Sequence, residues 1–110
     1  MLVDNRERAP VYEIWTERSV YEFDQSMRCI AVRDAGSGIV RVADHLVGST
    51  LIGGRDVTNQ TVCMSYPLPA VGHRALLGCG ERDVSETTPV MRIVMNLQRW
   101  SCKTRPIRSG

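Results

Sequence analysis

The stretch VYEIWTERSVYEFD, residues 11–24, shows most directly how this chain folds. On both sides of Glu17 and Arg18, β-branched and aromatic residues alternate with polar ones, which is typical of half-buried strands. A connection this short joins antiparallel neighbours, because parallel strands need a crossover of about a dozen residues or more. Residues 11–16 and 19–24 are therefore predicted to form a tight β-hairpin.

Further short apolar runs, separated by turn residues, follow along the chain. Arg28–Arg33 and Ile39–Val42 flank Asp34–Gly38, whose glycines suit a short hairpin connection. The Gly53-Gly54 pair suits a bulge, a sharp bend or a close backbone approach. Pro67-Leu68-Pro69 should end a strand, because proline cannot donate to a ladder. Further strands are expected at 46–52, 61–66 and 73–77.

The strongest apolar run is Thr88–Leu97, which is predicted to be the central strand. Alternation would place its apolar side chains on one face, namely those of Met91, Ile93, Met95 and Leu97. The acidic stretch 81–86 before it is interpreted as a loop. Residues 100–103 either continue this strand or pair with it.

Seven or eight short strands with regular turn signals and no amphipathic helix predict an all-β fold. The expected architecture is a small antiparallel barrel or sandwich of about six to eight short strands, with little or no helix. A length of 110 residues corresponds to a single domain, residues 1–110. Residues 1–9 and the basic tail 104–110 are candidates for flexible ends.

The start of the chain, its apolar runs and its cysteines are those expected of an intracellular protein. The charged start lacks the apolar segment of a secretory signal, and no run is long enough to span a membrane, so a cytoplasmic location is expected. None of the four cysteines belongs to a close pair that could hold zinc, and neither histidine is near one. Cys29, Cys63 and Cys102 lie in apolar runs and are interpreted as core thiols, whereas oxidation would allow three different pairings.

Catalytic signatures are missing from the sequence. It contains no phosphate-binding loop, nucleophile elbow, zinc-binding helix motif or dinucleotide fingerprint. Asp44 and His45 are adjacent, so on a strand they would point to opposite faces, and His45 is interpreted as an exposed loop residue. His73 is placed in a turn, and no histidine is close in sequence to Ser19, Ser26 or Ser65. No catalytic, cofactor-binding or metal-binding residue and no small-molecule substrate is predicted, and the protein is interpreted as not being an enzyme.

Charge is distributed unevenly along the chain. No acidic residue follows Glu86, whereas residues 92–110 contain five basic residues; the first 91 residues hold nine basic and twelve acidic ones. Trp100 lies within the basic segment and could contribute to binding. The candidate partner-binding residues are therefore Arg92, Arg99, Trp100, Lys103, Arg105 and Arg108. The Gly53-Gly54 and Pro67-Leu68-Pro69 segments are secondary candidates, because loops on a rigid scaffold commonly bind.

Two classes of partner fit this basic segment. Its charges could complement an acidic patch on a protein partner or on a second copy of the chain. Alternatively, they could neutralise phosphates while Trp100 stacks on a base. Five charges over nineteen residues are dilute for a nucleic-acid domain, so a protein partner or self-association is the preferred interpretation and nucleic acid the alternative.

Two segments, Thr16–Asp24 and Thr87–Ile93, resemble the layout of short uncharacterised accessory proteins of phages of high-GC bacteria. Thirteen of the fourteen basic residues are arginine, which agrees with a GC-rich genome. The resemblance implies a small intracellular β-protein that binds a host protein or takes part in a larger assembly. It implies no catalytic residues.

Overall fold

The computed structural model describes residues 10–41, 43–80 and 82–96. These residues form eight β-strands and no α-helix, which confirms the predicted all-β class. No helix in these three ranges is long and apolar enough to cross a membrane. The strands are β1 (Tyr12–Trp15), β2 (Ser19–Phe23), β3 (Cys29–Asp34), β4 (Thr50–Thr58), β5 (Thr61–Ser65), β6 (Arg74–Gly78), β7 (Val84–Pro89) and β8 (Arg92–Met95).

The strands form two antiparallel four-stranded sheets, which we call sheet 1 and sheet 2. Sheet 1 has the order β3-β2-β1-β8, and sheet 2 has the order β5-β4-β6-β7. The predicted first hairpin is confirmed, since β1 and β2 pair from Tyr12 opposite Phe23 to Trp15 opposite Val20. The two sheets do not close into a barrel, so the architecture is a sandwich.

The core is built from alternate residues of both sheets. Ile14, Phe23 and Val32 from sheet 1 and Leu51 and Leu77 from sheet 2 belong to one buried cluster. Burying each such side chain contributes about 1.5–3 kcal/mol, so this cluster holds the two sheets together.

The apolar run Thr88–Leu97 is not a central strand, contrary to the prediction. It divides at Val90, which exchanges backbone hydrogen bonds with His73 and Gly72, whereas the Met91 N–H donates to the Trp15 carbonyl of sheet 1. The chain thus crosses from one sheet to the other at Val90, which is fully buried. The following strand, β8, is short and lies at the edge of sheet 1.

The predicted hairpin around Asp34–Gly38 forms its turn but not its second strand. The Asp34 carboxylate accepts hydrogen bonds from the N–H and hydroxyl of Ser37, at 2.8 and 3.0 Å. The returning segment then makes one isolated bridge, between Arg33 and Val40. A new turn follows in which the Asp44 carboxylate accepts the Leu46 N–H at 2.9 Å, and it places Leu46 in the core.

Gly53 and Gly54 lie inside strand β4 and not in a loop, so the predicted strand end at this position is wrong. The register of β4 against β6 shifts between Leu51 and Gly53, which confirms the predicted bulge. Pro69 packs directly against Gly54, which confirms the close approach. The glycines thus let the chain continue to Thr58 while another segment crosses over it.

The acidic stretch 81–86 is likewise not simply a loop, because β7 begins at Val84. Thr87 is buried in this strand, and its hydroxyl accepts the N–H of Ala75 at 3.0 Å. Glu86 lies on the other face, where its carboxylate pairs with the Arg55 guanidinium of β4. The strand was missed because polar residues occupy both of its faces.

The cysteines differ in their surroundings. Cys29 is buried in the core as predicted, and Cys79 is half-buried. Cys63 is exposed, so its assignment to the core is wrong; it lies on β5, every residue of which before Ser65 is exposed. Cys102 lies outside the described residues, as do segments 1–9 and 97–110.

Candidate partner-binding site

A row of side chains crosses the outer face of sheet 1. In the strand register Arg92 lies opposite Trp15, Trp15 opposite Val20, and Val20 opposite Arg33, so all four project from the same face. Val20 is completely buried although it lies on this outer face. Since β2 separates β1 from β3, the Trp15 and Arg33 side chains meet above Val20.

Two guanidinium groups lie over the Trp15 ring. The central guanidinium carbon of Arg92 is 4.2 Å from the ring centroid, and that of Arg33 is 5.1 Å from it. Both distances are within the range of cation–π attraction, which contributes about 0.5–1 kcal/mol at exposed sites. The arrangement fixes the orientation of the indole and both arginines.

The two arginines differ in their charge partners. Arg33 Nε donates to Glu22 Oε2 at 2.7 Å, and its Nη2 lies 3.5 Å from Glu13 Oε1. Glu13 also accepts the Trp15 indole N–H at 2.9 Å. Arg33 is therefore neutralised within the sheet, where it acts as a structural cation.

Arg92, in contrast, retains an unneutralised charge within the described part of the chain. Its side chain is exposed, and no described carboxylate lies within ion-pair distance of it. A shallow cleft of about 370 Å³ opens beside it, lined by Trp15, Thr16, Glu17, Ala35, Met91 and Arg92. Met91 is 61% exposed. The cleft thus combines an available cation with an indole and a flexible apolar side chain.

Only one of the sequence-predicted contact residues can be placed in this cleft. Arg92 lines it, whereas Arg99, Trp100, Lys103, Arg105 and Arg108 lie outside the described residues. The secondary candidates Gly53-Gly54 and Pro67-Leu68-Pro69 belong to sheet 2 and the turn after β5, away from this face. Trp15 was not predicted as a binding residue; its pairing with β8 is the long-range contact that the sequence did not reveal.

The two histidines lie in different surroundings. His45 is 79% exposed, as predicted, and its Nδ1 lies 3.8 Å from Asp44 Oδ1. His73 makes a contact that sequence reasoning missed, because its Nδ1 lies 3.1 Å from the Ser65 hydroxyl. That hydroxyl also accepts the Ala70 N–H at 2.9 Å. Ser65 thereby ties the turn after β5 to the segment before β6, which is a structural role.

A second cleft, of about 590 Å³, brings His45 and Cys79 to the same concave surface. The Cys79 sulfur lies 3.7 Å from the Ser85 hydroxyl and 3.8 Å from the Leu77 carbonyl. Among the described residues no hydrogen bond joins this thiol to a histidine, so no base is positioned to activate it. Burial raises the pKa of the Cys29 thiol to about 11, and the nearby Asp44 and Glu22 carboxylates add to this, so Cys29 is unsuited to act as a nucleophile.

The described residues contain no group of three or more His, Cys, Asp or Glu side chains that could hold a metal ion. Comparison of the chain with protein-family models, with curated proteins and with solved structures finds no match.

Proposed function

We propose that this protein is a non-enzymatic interaction module that binds an acidic segment of a partner protein at Trp15, Met91 and Arg92. The observation that carries the proposal is the Arg92 guanidinium, which is held on Trp15 without a described carboxylate partner. Tryptophan and arginine dominate the binding energy of many protein interfaces. The resemblance of residues 16–24 and 87–93 to phage accessory proteins suggests a partner in a host cell or in a larger assembly.

Preorganisation supports this choice of site. A free arginine side chain loses rotamer freedom when it binds a carboxylate, whereas Arg92 already rests on the indole. A partner carboxylate would be bound by the guanidinium, and an adjacent apolar side chain would contact Met91 and the indole edge. Glu17 lines the same cleft and favours a partner segment whose acidic residue reaches Arg92 and not the opposite wall.

Nucleic acid fits this site less well, and it remains the alternative through the basic residues after Asn96. The Trp15 ring is half-buried and already has two guanidinium groups over it, so it offers little free face for a base. A nucleic-acid strand carries a phosphate at every nucleotide, so several phosphates would lie near Glu13, Glu17 and Glu22, whereas a peptide segment can place one carboxylate at Arg92.

The proposal is tested with fluorescein-labelled peptides of alternating Glu and Leu, compared with peptides in which Gln replaces every Glu. We expect the acidic peptides to bind more tightly, and Arg92→Gln to weaken their binding about tenfold, the effect of losing one charge-assisted hydrogen bond. Arg82→Gln is the matched control, because it removes a positive charge from another exposed side chain that does not line the cleft.

Two results would contradict the proposal. Equal affinity of wild type and Arg92→Gln for the acidic peptides would show that the cleft is not the site. Tight binding of a 20-nucleotide single strand or a 20-base-pair duplex, with affinity that falls steeply with salt, would favour the nucleic-acid alternative.

A further inference from the structure

Strand β5 is an uncovered sheet edge in the described part of the molecule. It pairs with β4 alone, and its residues from Thr61 to Met64 are all exposed. The strand carries no charge and no proline, although natural proteins commonly use both to prevent edge strands from pairing with other chains. Its free N–H and C=O groups are therefore accessible to another strand.

The other described edges are protected. Along β3, the Arg41 N–H donates to the Val32 carbonyl, and the Gly48 N–H donates to the Cys29 carbonyl. Strand β7 contains Glu86 and Pro89, and β8 contains Arg92. Of the described edges, only that of β5 lacks both a charge and a cover.

The hairpin register shows which groups of β5 are available. Asn59 and Gln60 have φ values of 48° and 68°, as in a type I′ two-residue turn, so Thr58 and Thr61 form the hydrogen-bonded closing pair. Pairing alternates from there, so the N–H and C=O of Cys63 point towards Asp56 on β4. Those of Val62 and Met64 point away from β4, towards the open edge.

The outer face of this ribbon carries three apolar side chains and one charged one. Val57 lies opposite Val62, and Met64 projects on the same outer face of sheet 2. The side chains of Val57, Val62 and Met64 are 60%, 55% and 44% exposed. Arg55 lies opposite Met64 on this face, and its guanidinium pairs with Glu86. Cys63 lies on the other face, opposite Asp56.

We propose that a second copy of this chain adds to sheet 2 through β5, antiparallel and about a two-fold axis at Cys63. In this register Val62 lies opposite Met64 of the second copy, and Thr61 opposite Ser65 of the second copy. The outward-facing groups of Val62 and Met64 then exchange both backbone hydrogen bonds across the axis. Sheet 2 has four strands in each copy, so the two copies together form one continuous eight-stranded sheet.

Self-complementarity favours a second copy over a different partner. The outward groups of β5 allow two-fold registers centred on Val62, Cys63 or Met64, and only the one centred on Cys63 pairs all five residues. It also brings Val57, Val62 and Met64 of both copies together on one face, with the ion-paired Arg55 of each copy at the border. An uncharged strand meets its own copy without repulsion, whereas the charged edges of the same protein would not.

The size of the interface sets the expected strength. Five residues from each copy bury less surface than the roughly 1,600 Å² of a standard interface. The expected result is a reversible dimer that forms at micromolar concentration and not a permanent one. This inference does not depend on the cleft at Trp15, which lies on the other sheet.

Sedimentation velocity on the full chain under reducing conditions tests the proposal. The weight-average mass is expected to rise with concentration from 12.3 kDa towards twice that value. Val62→Lys should remain at the monomer mass at concentrations where wild type is dimeric. The two introduced lysines, one from each copy, would lie diagonally across the axis and repel each other. Val84→Lys is the matched control and should dimerise like wild type, since Val84 is 56% exposed against 55% for Val62 but lies on β7.

A backbone variant and a cross-link test the register. Met64→Pro removes an N–H that faces the open edge and makes no bond to β4, so it should abolish the dimer while circular dichroism stays unchanged. At the axis, the two Cys63 Cα atoms would be about 4.5 Å apart, close enough for a disulfide. Diamide, which takes two electrons and two protons from the thiols, should therefore give a covalent dimer that Cys63→Ser prevents.

Three outcomes would overturn the proposal. One is a protein that stays monomeric at all concentrations with rapidly exchanging Val62 and Met64 amides. Another is a monomer in which these amides are protected from exchange, which would mean that another segment of the chain covers the edge. The third is a dimer that persists in both Val62→Lys and Met64→Pro, which would place the contact on another face.

Discussion

Replacing Gly54 with alanine is expected to destabilise the protein by about 2–3 kcal/mol, because the added methyl group would overlap a packed neighbour. A Cβ at this position would lie 2.7 Å from Pro69 Cβ and 2.8 Å from Pro69 Cα, where carbon atoms normally stay about 3.5–4.0 Å apart. Pro69 is fully buried and cannot retreat. Ser65 Oγ, also 2.7 Å away, is held by the Ala70 N–H and by His73.

Gly53→Ala should be more damaging, by about 4 kcal/mol. The new Cβ would overlap the backbone oxygen of Ser65 and would lie 2.8 Å from the Tyr66 ring. The backbone φ of 154° is one that side chains rarely adopt, so conformational strain of about 1–3 kcal/mol adds to the overlap. In a domain stable by about 5–15 kcal/mol, this loss approaches the total.

Substitutions at two other glycines distinguish the cost of steric overlap from the cost of backbone strain. Gly38 has a φ of 79° and no atom near the position of an added Cβ, so Gly38→Ala should cost only about 1 kcal/mol of strain. Gly36→Ala would bring its Cβ to an ordinary 3.5 Å from the Asp34 carboxylate and should change stability by less than about 0.5 kcal/mol.

Thermal and urea unfolding followed by circular dichroism measure these differences. A loss of 1 kcal/mol lowers Tm by about 4 °C in a domain of this size, so Gly54→Ala should unfold about 8–12 °C below wild type. If Gly54→Ala cost no more than Gly38→Ala, the close packing of the turn after β5 against β4 would be refuted.

Three further predictions concern the core, a turn and the thiols. Leu77→Ala should cost about 2–5 kcal/mol in urea unfolding, since Leu77 is completely buried, whereas a cost below 1 kcal/mol would contradict its place in the core. Burial raises the pKa of the Asp24 carboxyl, but hydrogen bonds from Ser26 and from the Arg28 N–H lower this pKa by more than burial raises it, so the net shift is downward. This stabilisation is present above the unfolded-state pKa of about 4 and is lost as the pH falls below it. The difference in free energy of unfolding between wild type and Asp24→Asn, about 1 kcal/mol at pH 6, should therefore become smaller at pH 3. A difference that stays constant over this pH range would refute the pKa shift. In the folded protein Cys63 should react rapidly with a maleimide and Cys29 only after unfolding, as mass spectrometry of labelled peptides would show; equal labelling rates would contradict their different burial.

The local features of the fold could be predicted from the sequence because they depend on neighbouring residues. The hairpin of β1 and β2 needs only two alternating strands and a short turn, and it forms as expected. The same reasoning failed at Thr88–Leu97, where hydrophobicity indicated that residues are buried but not which of the two sheets each residue joins. The division at Val90 depends on its hydrogen bonds to Gly72 and His73, which precede β6 of sheet 2, and on the hydrogen bond from Met91 to Trp15 of sheet 1.

The candidate site could be predicted only in part for the same physical reason. The uneven charge distribution indicated Arg92 as a candidate contact residue, but its position on an aromatic ring depends on Trp15, which lies 77 positions earlier in the sequence. No local pattern predicts that β8 pairs with β1 or that Arg33 is neutralised from a neighbouring strand. The exposed position of Cys63 also depends on β5 being a sheet edge, which an apolar run cannot indicate.

The two proposed surfaces can operate together because they belong to different sheets. The cleft at Trp15 and Arg92 lies on the outer face of sheet 1, whereas β5 is an edge of sheet 2. A dimer formed through β5 would leave both clefts open, one on each copy. A partner with two acidic segments spaced to reach both could then bind with an apparent affinity about 10²- to 10⁴-fold above that of one cleft. Weak contacts at each surface would thus be sufficient for stable recruitment into a multivalent assembly, whereas a single acidic segment would dissociate readily.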